Sequence, residues 1–353
     1  MTRLQKLIAQ FDSAGIDAFL ISSWPNVTYV SGFMGTESWL LVSRKAKYFI
    51  TDSRYSEQAE KEAKGFKIIL RDKKSVPELV LDMANQWRSK KVGFESSIIT
   101  HSFYRQLEKQ LGADRLVATQ GLVEKLRISK DDSEIFLLKK SAEIAVKGYH
   151  YIRQCARPGM RERELQARLE HFTKMLGAEK PAFDIIIAGG ARSSMPHAMT
   201  GENPVQNHQL VLVDMGVVYN GYHSDLTRPF FLGKMSGFQK KIYDIVWNAQ
   251  RRGIAKAGPG VPARVVDAAC RDYIEKKGYG RYFGHGTGHG VGLEIHEAPT
   301  VSSRSSTLLE PGMVITVEPG IYLPGKFGVR IEDMVLITKN GNEVLTRGLD
   351  ESV

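Results

Sequence analysis

The stretch LVLVDMGVVYNGYHSDLTRPFF, residues 210–231, has the pattern of a β-hairpin that carries two carboxylates. Two runs of β-forming residues flank Asn220 and Gly221, a pair that is typical of a two-residue hairpin turn. Such a turn sets Asp214 and Asp225 on the same face of the two paired strands. We therefore predict that these aspartates are diagonal neighbours, with backbones about 7 Å apart.

The strand that leads to the first aspartate decides between two interpretations of this pair. One alternative is a half-exposed hairpin on which Asp214 and Asp225 are solvated surface residues. However, the run LVLVD is apolar almost throughout, which predicts a buried strand. Two carboxylates that converge in a buried sheet need a cation or a shared proton. We therefore interpret the pair as metal ligands.

A second hairpin pattern lies in GMVITVEPGIYLPGKFGVRIEDMVLIT, residues 312–338. Two β-type runs flank a longer loop, and a hairpin centred near Gly325 sets Glu318 opposite Glu332. One pair of carboxylates on apolar strands is easily a coincidence. Two pairs at equivalent places of a repeated pattern indicate one shared site.

A faint internal repeat connects these two hairpins. Two segments that start 101 residues apart, at Arg157 and Gly258, each contain a Pro-Gly pair, a polar turn and an amphipathic helix. A β-rich stretch follows each segment. The sequence identity between the segments is low, so a duplication and a chance similarity both stay open. If the duplication is real, we expect two similar halves with a cleft between them.

The stretch FGHGTGHGVGLEIHE, residues 283–297, is rich in histidine and glycine. Its alternating glycines would each cost roughly 1 kcal/mol inside a helix, so we expect an extended strand. In a strand, His285 and His289 share a face but lie about 13 Å apart. Because paired metal ions lie about 3.5–4 Å apart, at most one of these histidines is a ligand. The glycines allow neighbouring backbone to approach closely.

The charges of the predicted ligands balance those of two divalent ions. Four carboxylates carry four negative charges, two divalent ions carry four positive charges, and one neutral histidine completes the set; the carboxylates are Asp214, Asp225, Glu318 and Glu332. Such a centre generates a nucleophile at neutral pH and polarises a carbonyl group. Oxygen-rich ligation favours Mn²⁺, with Co²⁺, Fe²⁺ and Zn²⁺ as alternatives.

Length and composition are those of a globular protein with room for two domains. Of the 353 residues, 42% are hydrophobic and 25% are charged. No run of about 18 uncharged apolar residues occurs, so we expect no membrane partner. The net charge of +10 is dispersed, so we expect no nucleic-acid partner. Cys155 and Cys270 are isolated, which favours a reducing, cytoplasmic location.

The patterning of the chain changes near residue 125. Residues 1–124 alternate helices with short β-type runs, which indicates a small α/β domain; the runs are DAFLIS, SWLLVS, KYFITD, FKIIL and KVGFE. The next segment, RISKDDSEIF, begins with polar capping residues and continues as a long amphipathic helix. We therefore expect one domain over residues 1–124 and a second over residues 125–353.

The motifs VDMG, HSDLTR, GHGTGHGVGLEIHE, ITVEPGIY and GVRIEDMVLIT together resemble those of the pita-bread metallopeptidases. That family includes aminopeptidase P, prolidase, methionine aminopeptidase and creatinase, and the resemblance covers roughly residues 130–340. The segment SSWPNVTYVSGF resembles one in the N-terminal domain of aminopeptidase P and prolidase. The resemblance implies an α+β protein: a small α/β creatinase-like N-terminal domain, then a catalytic domain built as a pseudo-twofold repeat of paired helices and a β-hairpin.

The resemblance also implies the role of each metal ligand. Asp214 would bind one ion, and Asp225 and Glu332 would bridge both ions. His289 would bind the other ion together with Glu318. Glu318 would also act as the general base toward the bridging water.

Four further residues are implied to act on the substrate or on the ligands. His296 would hydrogen-bond the substrate carbonyl, and His197 would line the same pocket. His285 would lie behind the ligands or near the substrate, and these two positions stay open. Arg330 would orient the carboxylates or contact the substrate.

The activity implied by the resemblance is hydrolysis of the Xaa-Pro peptide bond. The substrate is a peptide with proline after its first residue, or an Xaa-Pro dipeptide, and the resemblance does not separate these two. A methionine aminopeptidase-like or other N-terminal exopeptidase activity stays open, as does a non-catalytic binding module on the same fold. The family also implies a homodimer.

Overall fold

The computed structural model describes residues 1–349 of the chain. The chain divides into two compact units, the first of which is Met1–Arg127 and the second of which begins at Ile128. The boundary predicted between residues 124 and 125 lies at the start of the last short helix of the first unit. The last four residues of the predicted second domain lie outside the described range.

The first unit is built on a mixed six-stranded sheet. Its helices are α1 (Arg3–Ile8), α2 (Phe11–Ala14), α3 (Trp24–Ser31), α4 (Ser56–Glu62), α5 (Val76–Trp87), α6 (His101–Leu111) and α7 (Glu124–Arg127). Its strands are β1 (Ala18–Ile21), β2 (Ser38–Ser43), β3 (Lys47–Thr51), β4 (Lys67–Leu70), β5 (Val92–Glu95) and β6 (Leu116–Thr119). The strand order is β4-β3-β2-β1-β5-β6. All five predicted strands are present as β1–β5. The structure adds a sixth strand, β6, at one edge of the sheet, which the sequence analysis did not predict.

The second unit combines four long helices with several small sheets. Its helices are α8 (Asp132–Cys155), α9 (Glu162–Met175), α10 (Gly237–Lys256) and α11 (Ala263–Lys276). Its strands are β7 (Lys180–Pro181), β8 (Ile186–Gly189), β9 (Gln209–Met215), β10 (Val217–Tyr219), β11 (Tyr222–His223), β12 (Leu226–Leu232), β13 (Gly288–Gly290), β14 (Glu297–Val301), β15 (Val314–Val317), β16 (Gly320–Leu323), β17 (Phe327–Arg330), β18 (Asp333–Thr338) and β19 (Gly341–Val344). Among the described residues, no helix has both the length and the apolar composition needed to cross a membrane.

The two halves of the second unit repeat one arrangement. A helix pair, α8–α9 or α10–α11, precedes the strands of each half. Helices α9 and α11 are both 14 residues long, and the second begins 101 residues after the first, as the repeat in the sequence predicts. The residue before each of these helices, Arg161 or Pro262, forms an isolated β-bridge to a later loop. These equivalences support the predicted pair of similar halves.

Strand β9 is buried on both faces because it lies between two hydrophobic cores. Leu210 and Leu212 pack into the core of the second half. Val211 and Val213 pack into the core of the first half. All four side chains are fully buried, which explains why this run is apolar throughout instead of alternating. The strand therefore places Asp214, its second-to-last residue, in the interior.

Because β9 lies between two cores, truncation of its side chains should lower the free energy of unfolding by a large amount. Leu212→Ala is expected to lower the free energy of unfolding by about 2–5 kcal/mol, because it leaves a cavity between well-packed elements. Leu308→Ala is the matched control: that side chain is 53% exposed, and we expect a change within about 0.5 kcal/mol. Urea unfolding measures both variants, and equal losses would contradict the proposed role of β9.

Candidate metal centre

The first hairpin holds its two aspartates in the predicted register. Asn220 and Gly221 have φ values of 46° and 77°, which is the positive-φ geometry of a two-residue hairpin turn. Beyond this turn, Asp214 on β9 pairs with Thr227 on β12, as the turn requires. Asp225 lies two residues before Thr227, next to the start of β12. The register read from the sequence is confirmed.

The second hairpin also has the predicted register. Val317 pairs with Asp333 at the inner end of β15 and β18, and β16 pairs with β17 in the same register about Gly325. Glu318 and Glu332 occupy the positions between these two paired segments. This hairpin therefore brings its two carboxylates face to face, although its loop is longer than that of the first hairpin.

The histidine-rich segment is less regular than predicted. Gly288–Gly290 forms strand β13 and Glu297 begins β14, whereas the rest of residues 283–297 is irregular, with bends at residues 292–296. The expectation of a continuous extended strand was therefore wrong. The predicted close approach of backbone is confirmed, because a Cβ atom on Gly288 would lie 2.0 Å from the carbonyl oxygen of Thr316. This contact holds the following residue, His289, beside β15.

Four predicted metal ligands face a common point. Ligand atoms of Asp225, His289 and Glu332 all lie within 4.8 Å of one another. The Nε2 atom of His289 lies 3.5 Å from Oδ2 of Asp225 and 3.4 Å from Oε1 of Glu318. Charge-assisted hydrogen bonds are shorter, about 2.7–2.9 Å, so these side chains surround one point without closing on each other.

Asp214 lies beside this cluster with a different partner. Its Oδ2 atom accepts a hydrogen bond from the guanidinium group of Arg330, with which it forms an ion pair. Its other oxygen, Oδ1, is buried and accepts no hydrogen bond from any residue of the described range 1–349. A buried carboxylate oxygen without a partner is unfavourable unless a cation satisfies it. The Oδ1 atom and the oxygen-rich neighbouring side chains therefore fit a hard divalent cation.

The pKa values report the effect of packing these charges together. Burial, with repulsion from neighbouring carboxylates, raises the pKa of Asp225 to about 6, that of Glu318 to about 7 and that of Glu332 well above its ordinary value. Burial opposes a charge on His289, but the nearby carboxylates of Asp225 and Glu318 raise its pKa to about 9. Without a cation, these groups retain protons, which a divalent ion would displace.

These side chains line one cavity of about 690 Å³, which is a size typical of small-molecule sites. All nine residues predicted for the site line it: Asp214, Asp225, His289, Glu318, Glu332, His197, His285, His296 and Arg330. They come from both halves of the second unit. Phe183, Ile186 and Tyr322 add an apolar wall.

A hydrogen-bond chain explains the position of His285. Its Nδ1 atom lies 2.7 Å from the carbonyl oxygen of Gly286, so this nitrogen carries the proton. Its Nε2 atom, 3.0 Å from the hydroxyl of Tyr322, then accepts the hydroxyl proton. Burial lowers the pKa of His285 to about 4, which keeps the ring neutral. The sequence left two positions open for His285, one behind the ligands and one near the substrate. The contact with Tyr322 favours the position behind the ligands.

The same chain continues from Tyr322 to the carboxylates. Arg330 donates to the hydroxyl of Tyr322 at 2.7 Å and to Oγ1 of Thr227 at 3.1 Å. Thr227 in turn donates to Oε2 of Glu332 at 2.6 Å. Sequence reasoning missed Tyr322 and Thr227. The hairpin register identifies Thr227 as the partner of Asp214, whereas no sequence signal singled out Tyr322.

The remaining histidines differ in their surroundings. His296 lines the cavity, and its ring centroid lies 4.3 Å from that of His289. Burial lowers the pKa of His296, and the neighbouring His289 lowers it further. His197 is exposed and lines the same cavity. His223, for which the sequence suggested no ligand role, is buried, and its backbone N–H donates to the carbonyl of Gly292 at 2.9 Å.

Comparison with known proteins identifies the family. The model of metallopeptidase family M24 matches residues 137–339, and the model of the creatinase/prolidase N-terminal domain matches residues 3–129. The chain belongs to metallopeptidase family M24. It is therefore a metal-dependent hydrolase that uses divalent metal. The predicted fold class, a creatinase-like N-terminal domain followed by a pita-bread catalytic domain, is confirmed.

Several M24 relatives match this chain over almost its whole length. An Xaa-Pro dipeptidase of Pyrococcus horikoshii is 39% identical over 98% of this chain and 97% of its own. The solved structure of an Xaa-Pro dipeptidase from Bacillus anthracis is 44% identical, with a TM-score of 0.96 over 99% of this chain and 98% of that one. An X-Pro aminopeptidase from Thermotoga maritima is 37% identical, with a TM-score of 0.92 over 99% of both chains.

Substitution of Asp225, which the resemblance implies to bridge two metal ions, should remove metal. Asp225→Asn is expected to lower the number of bound ions per chain and to reduce the rate of hydrolysis. The rate should fall more than roughly 10–100-fold, which is the loss typical when a residue that only hydrogen-bonds a metal ligand is replaced. Asp244→Asn is the control, because Asp244 pairs with Lys240 on the surface of α10. Elemental analysis and rate measurements compare the two variants. A normal ion count and rate in Asp225→Asn would contradict the bridging role.

The shifted pKa values predict how pH changes the stability of the metal-free protein. From about pH 6.5 to about pH 9, His289 keeps its proton in the folded state but loses it when unfolded, since its folded pKa is about 9. The folded state then binds more protons, so the free energy of unfolding falls as the pH rises. Glu318, whose pKa is raised to about 7 by burial, adds to this slope near its lower end, and the folded-state His285 stays neutral throughout because its pKa is about 4.

The matched measurement is denaturant unfolding of the chelated protein and of His289→Gln at both ends of this pH range. The substitution should flatten the slope, because it removes the group that titrates. A wild-type stability that rises across the range would show that the assigned pKa directions are wrong.

Proposed function

We propose that this protein hydrolyses the peptide bond that precedes proline, at the N-terminus of peptides or in dipeptides. The observation that carries this activity is the convergence of Asp225, His289 and Glu332 within 4.8 Å, in a chain whose full-length relatives include Xaa-Pro peptidases. The chemistry of the site accounts for peptide hydrolysis. The preference for proline rests on the relatives.

In the ligand assignment that we propose, Asp214 would hold one ion, and Asp225 and Glu332 would bridge two. His289 and Glu318 would hold the second ion. Two features support this assignment: the Oδ1 atom of Asp214 is buried without a hydrogen-bond partner, and His289 lies between Asp225 and Glu318. Because four of the five ligands are carboxylates, we propose manganese as the metal, with Co²⁺, Fe²⁺ and Zn²⁺ as alternatives.

Bound divalent ions would supply a hydroxide at neutral pH and polarise the scissile carbonyl. Glu318 acts as the general base toward the attacking water, and Thr316 orients it by donating to its Oε1 atom at 3.2 Å. The oxygen of the water forms a bond to the carbonyl carbon. His296, which lines the cavity, donates an N–H to the oxyanion that develops on the carbonyl oxygen.

Collapse of the tetrahedral species breaks the bond between the carbonyl carbon and the proline nitrogen. Glu318 passes the proton taken from water to that nitrogen, which leaves as a secondary amine. A peptide bond before proline is a tertiary amide without an N–H group. Arg330 holds Asp214 in place during these steps, and Thr227 holds Glu332. His197 contacts the substrate from the wall of the cavity.

We further propose that the protein is a cytoplasmic homodimer. The homodimer follows from the family resemblance, and sedimentation velocity measures it directly. The location is supported by two free cysteines, Cys155 and the buried Cys270, since disulfide-poor chains are typical of reducing compartments. The relatives include both dipeptidases and an aminopeptidase, so both kinds of substrate belong in the assay.

Three substrates test the activity: Xaa-Pro, Xaa-Pro-Yaa and Met-Ala-Ser. We expect cleavage of at least one of the two proline substrates, loss of that cleavage after chelation, and its recovery when Mn²⁺ is added back. Cleavage of Xaa-Pro alone defines a dipeptidase, and cleavage of Xaa-Pro-Yaa defines an aminopeptidase. Cleavage of Met-Ala-Ser alone would overturn the proline preference, and full turnover without metal would overturn the mechanism.

A further inference from the structure

A buried ion pair lies directly behind the cavity-lining histidine His296. The next residue, Glu297, is outside the set that lines the cavity. Its Oε2 atom lies 3.2 Å from Nζ of Lys130, and the two side chains are 7% and 1% exposed. Both residues belong to the second unit. A lysine and a carboxylate are rarely buried this deeply unless they are paired.

The carboxylate of Glu297 holds the turn that precedes His296. Its Oε1 atom accepts a hydrogen bond of 3.0 Å from the backbone N–H of Glu294. At the start of the turn, the N–H of Gly292 donates to the carbonyl of Glu294 at 3.0 Å. A Cβ atom on Gly292 would lie 2.6 Å from Oε2 of Glu297, so the glycine leaves room for the carboxylate against the backbone of the turn.

Lys130 connects that turn to the main sheet of the second half. Its backbone N–H donates to the carbonyl of Gly312 at 2.8 Å, just before β15. Its Nζ atom also donates to the carbonyl of Ile128 at 3.3 Å. The ammonium group is therefore held by fixed backbone on one side and by Glu297 on the other.

The ring of His296 depends on its backbone for orientation. Within residues 1–349, no hydrogen bond holds the ring, and its aromatic neighbour is His289 at a centroid distance of 4.3 Å. The ring lines the cavity, whereas the Glu297 side chain is buried with Lys130. Anchoring Glu297 therefore fixes the direction in which His296 projects.

We propose that the Lys130–Glu297 ion pair positions His296 so that its ring points toward the reacting carbonyl group. Neither residue touches substrate or metal, and both act through the 292–297 turn. This role rests on the proposed function of His296 as the donor to the oxyanion. A donor that is displaced even slightly loses most of its effect, because stabilisation of the transition state requires a preset direction.

The first experiment replaces the pair by neutral side chains of similar size, Lys130→Met with Glu297→Gln. Removing both charges avoids an unpaired buried charge, and the glutamine oxygen can still accept from Glu294. We expect an unchanged number of bound ions and a kcat about 10-fold lower, with KM within about 2-fold of wild type. Lys139→Met with Glu343→Gln is the control, since that pair is 2.9 Å apart and exposed, and its kcat should not change.

The second experiment separates positioning from a general loss of structure. The neutral pair is introduced into wild type and into His296→Gln, and kcat is compared in the four proteins. If the pair acts through His296, its replacement has no further effect once His296 is absent. An equal fold-loss in both backgrounds would overturn the proposal, as would an unchanged kcat in the neutral-pair variant.

The wild-type protein is first assayed on Xaa-Pro, Xaa-Pro-Yaa and Met-Ala-Ser, and the four-protein comparison then uses the substrate that it cleaves. Failure of the proline preference appears in the first assay. Failure of the positioning role appears only in the comparison of variants, so the two outcomes are distinguishable.

Discussion

The burial of four carboxylates around one histidine is the constraint on which the rest of this structure depends. Burial raises the pKa of Asp225, Glu318 and Glu332, which means that the fold makes their negative charges unfavourable. Arg330 compensates one carboxylate, and His289 contacts two others. Divalent cations, which metallopeptidases of this family use, would satisfy the remaining charge. The same electrostatic cost that destabilises the empty cluster gives the loaded cluster its affinity for metal.

The fold meets this constraint by placing the proposed ligands within, or directly beside, strands that are packed in the interior. β9 is packed between two hydrophobic cores, and each carboxylate pair lies where two paired strand segments meet. Polar groups behind the ligands then fix their orientation: Thr227 holds Glu332, and Arg330 connects Asp214 to Tyr322. Rigid strands with satisfied outer partners are what a precise metal site needs. The Lys130–Glu297 pair extends this support from the metal ligands to His296.

Much of the site followed from local sequence rules. The Asn220–Gly221 turn has only one favourable register, so the positions of Asp214 and Asp225 could be derived by counting residues. The same counting about Gly325 placed Glu318 and Glu332, and the repeat spacing of 101 residues matched helices α9 and α11. The extended strand expected over residues 283–297 was wrong beyond Gly288–Gly290, because glycines permit bends as readily as strands.

The sequence by itself determined the carboxylate pairs, their register and the exclusion of a helical histidine site, since turn chemistry and strand periodicity act over a few residues. The tertiary structure alone decided which groups lie behind the ligands. Tyr322 lies next to His285, and Lys130 next to Glu297, across 37 and 167 residues of chain. No local pattern encodes such contacts, because they arise only when distant segments pack together and their buried polar groups must find partners.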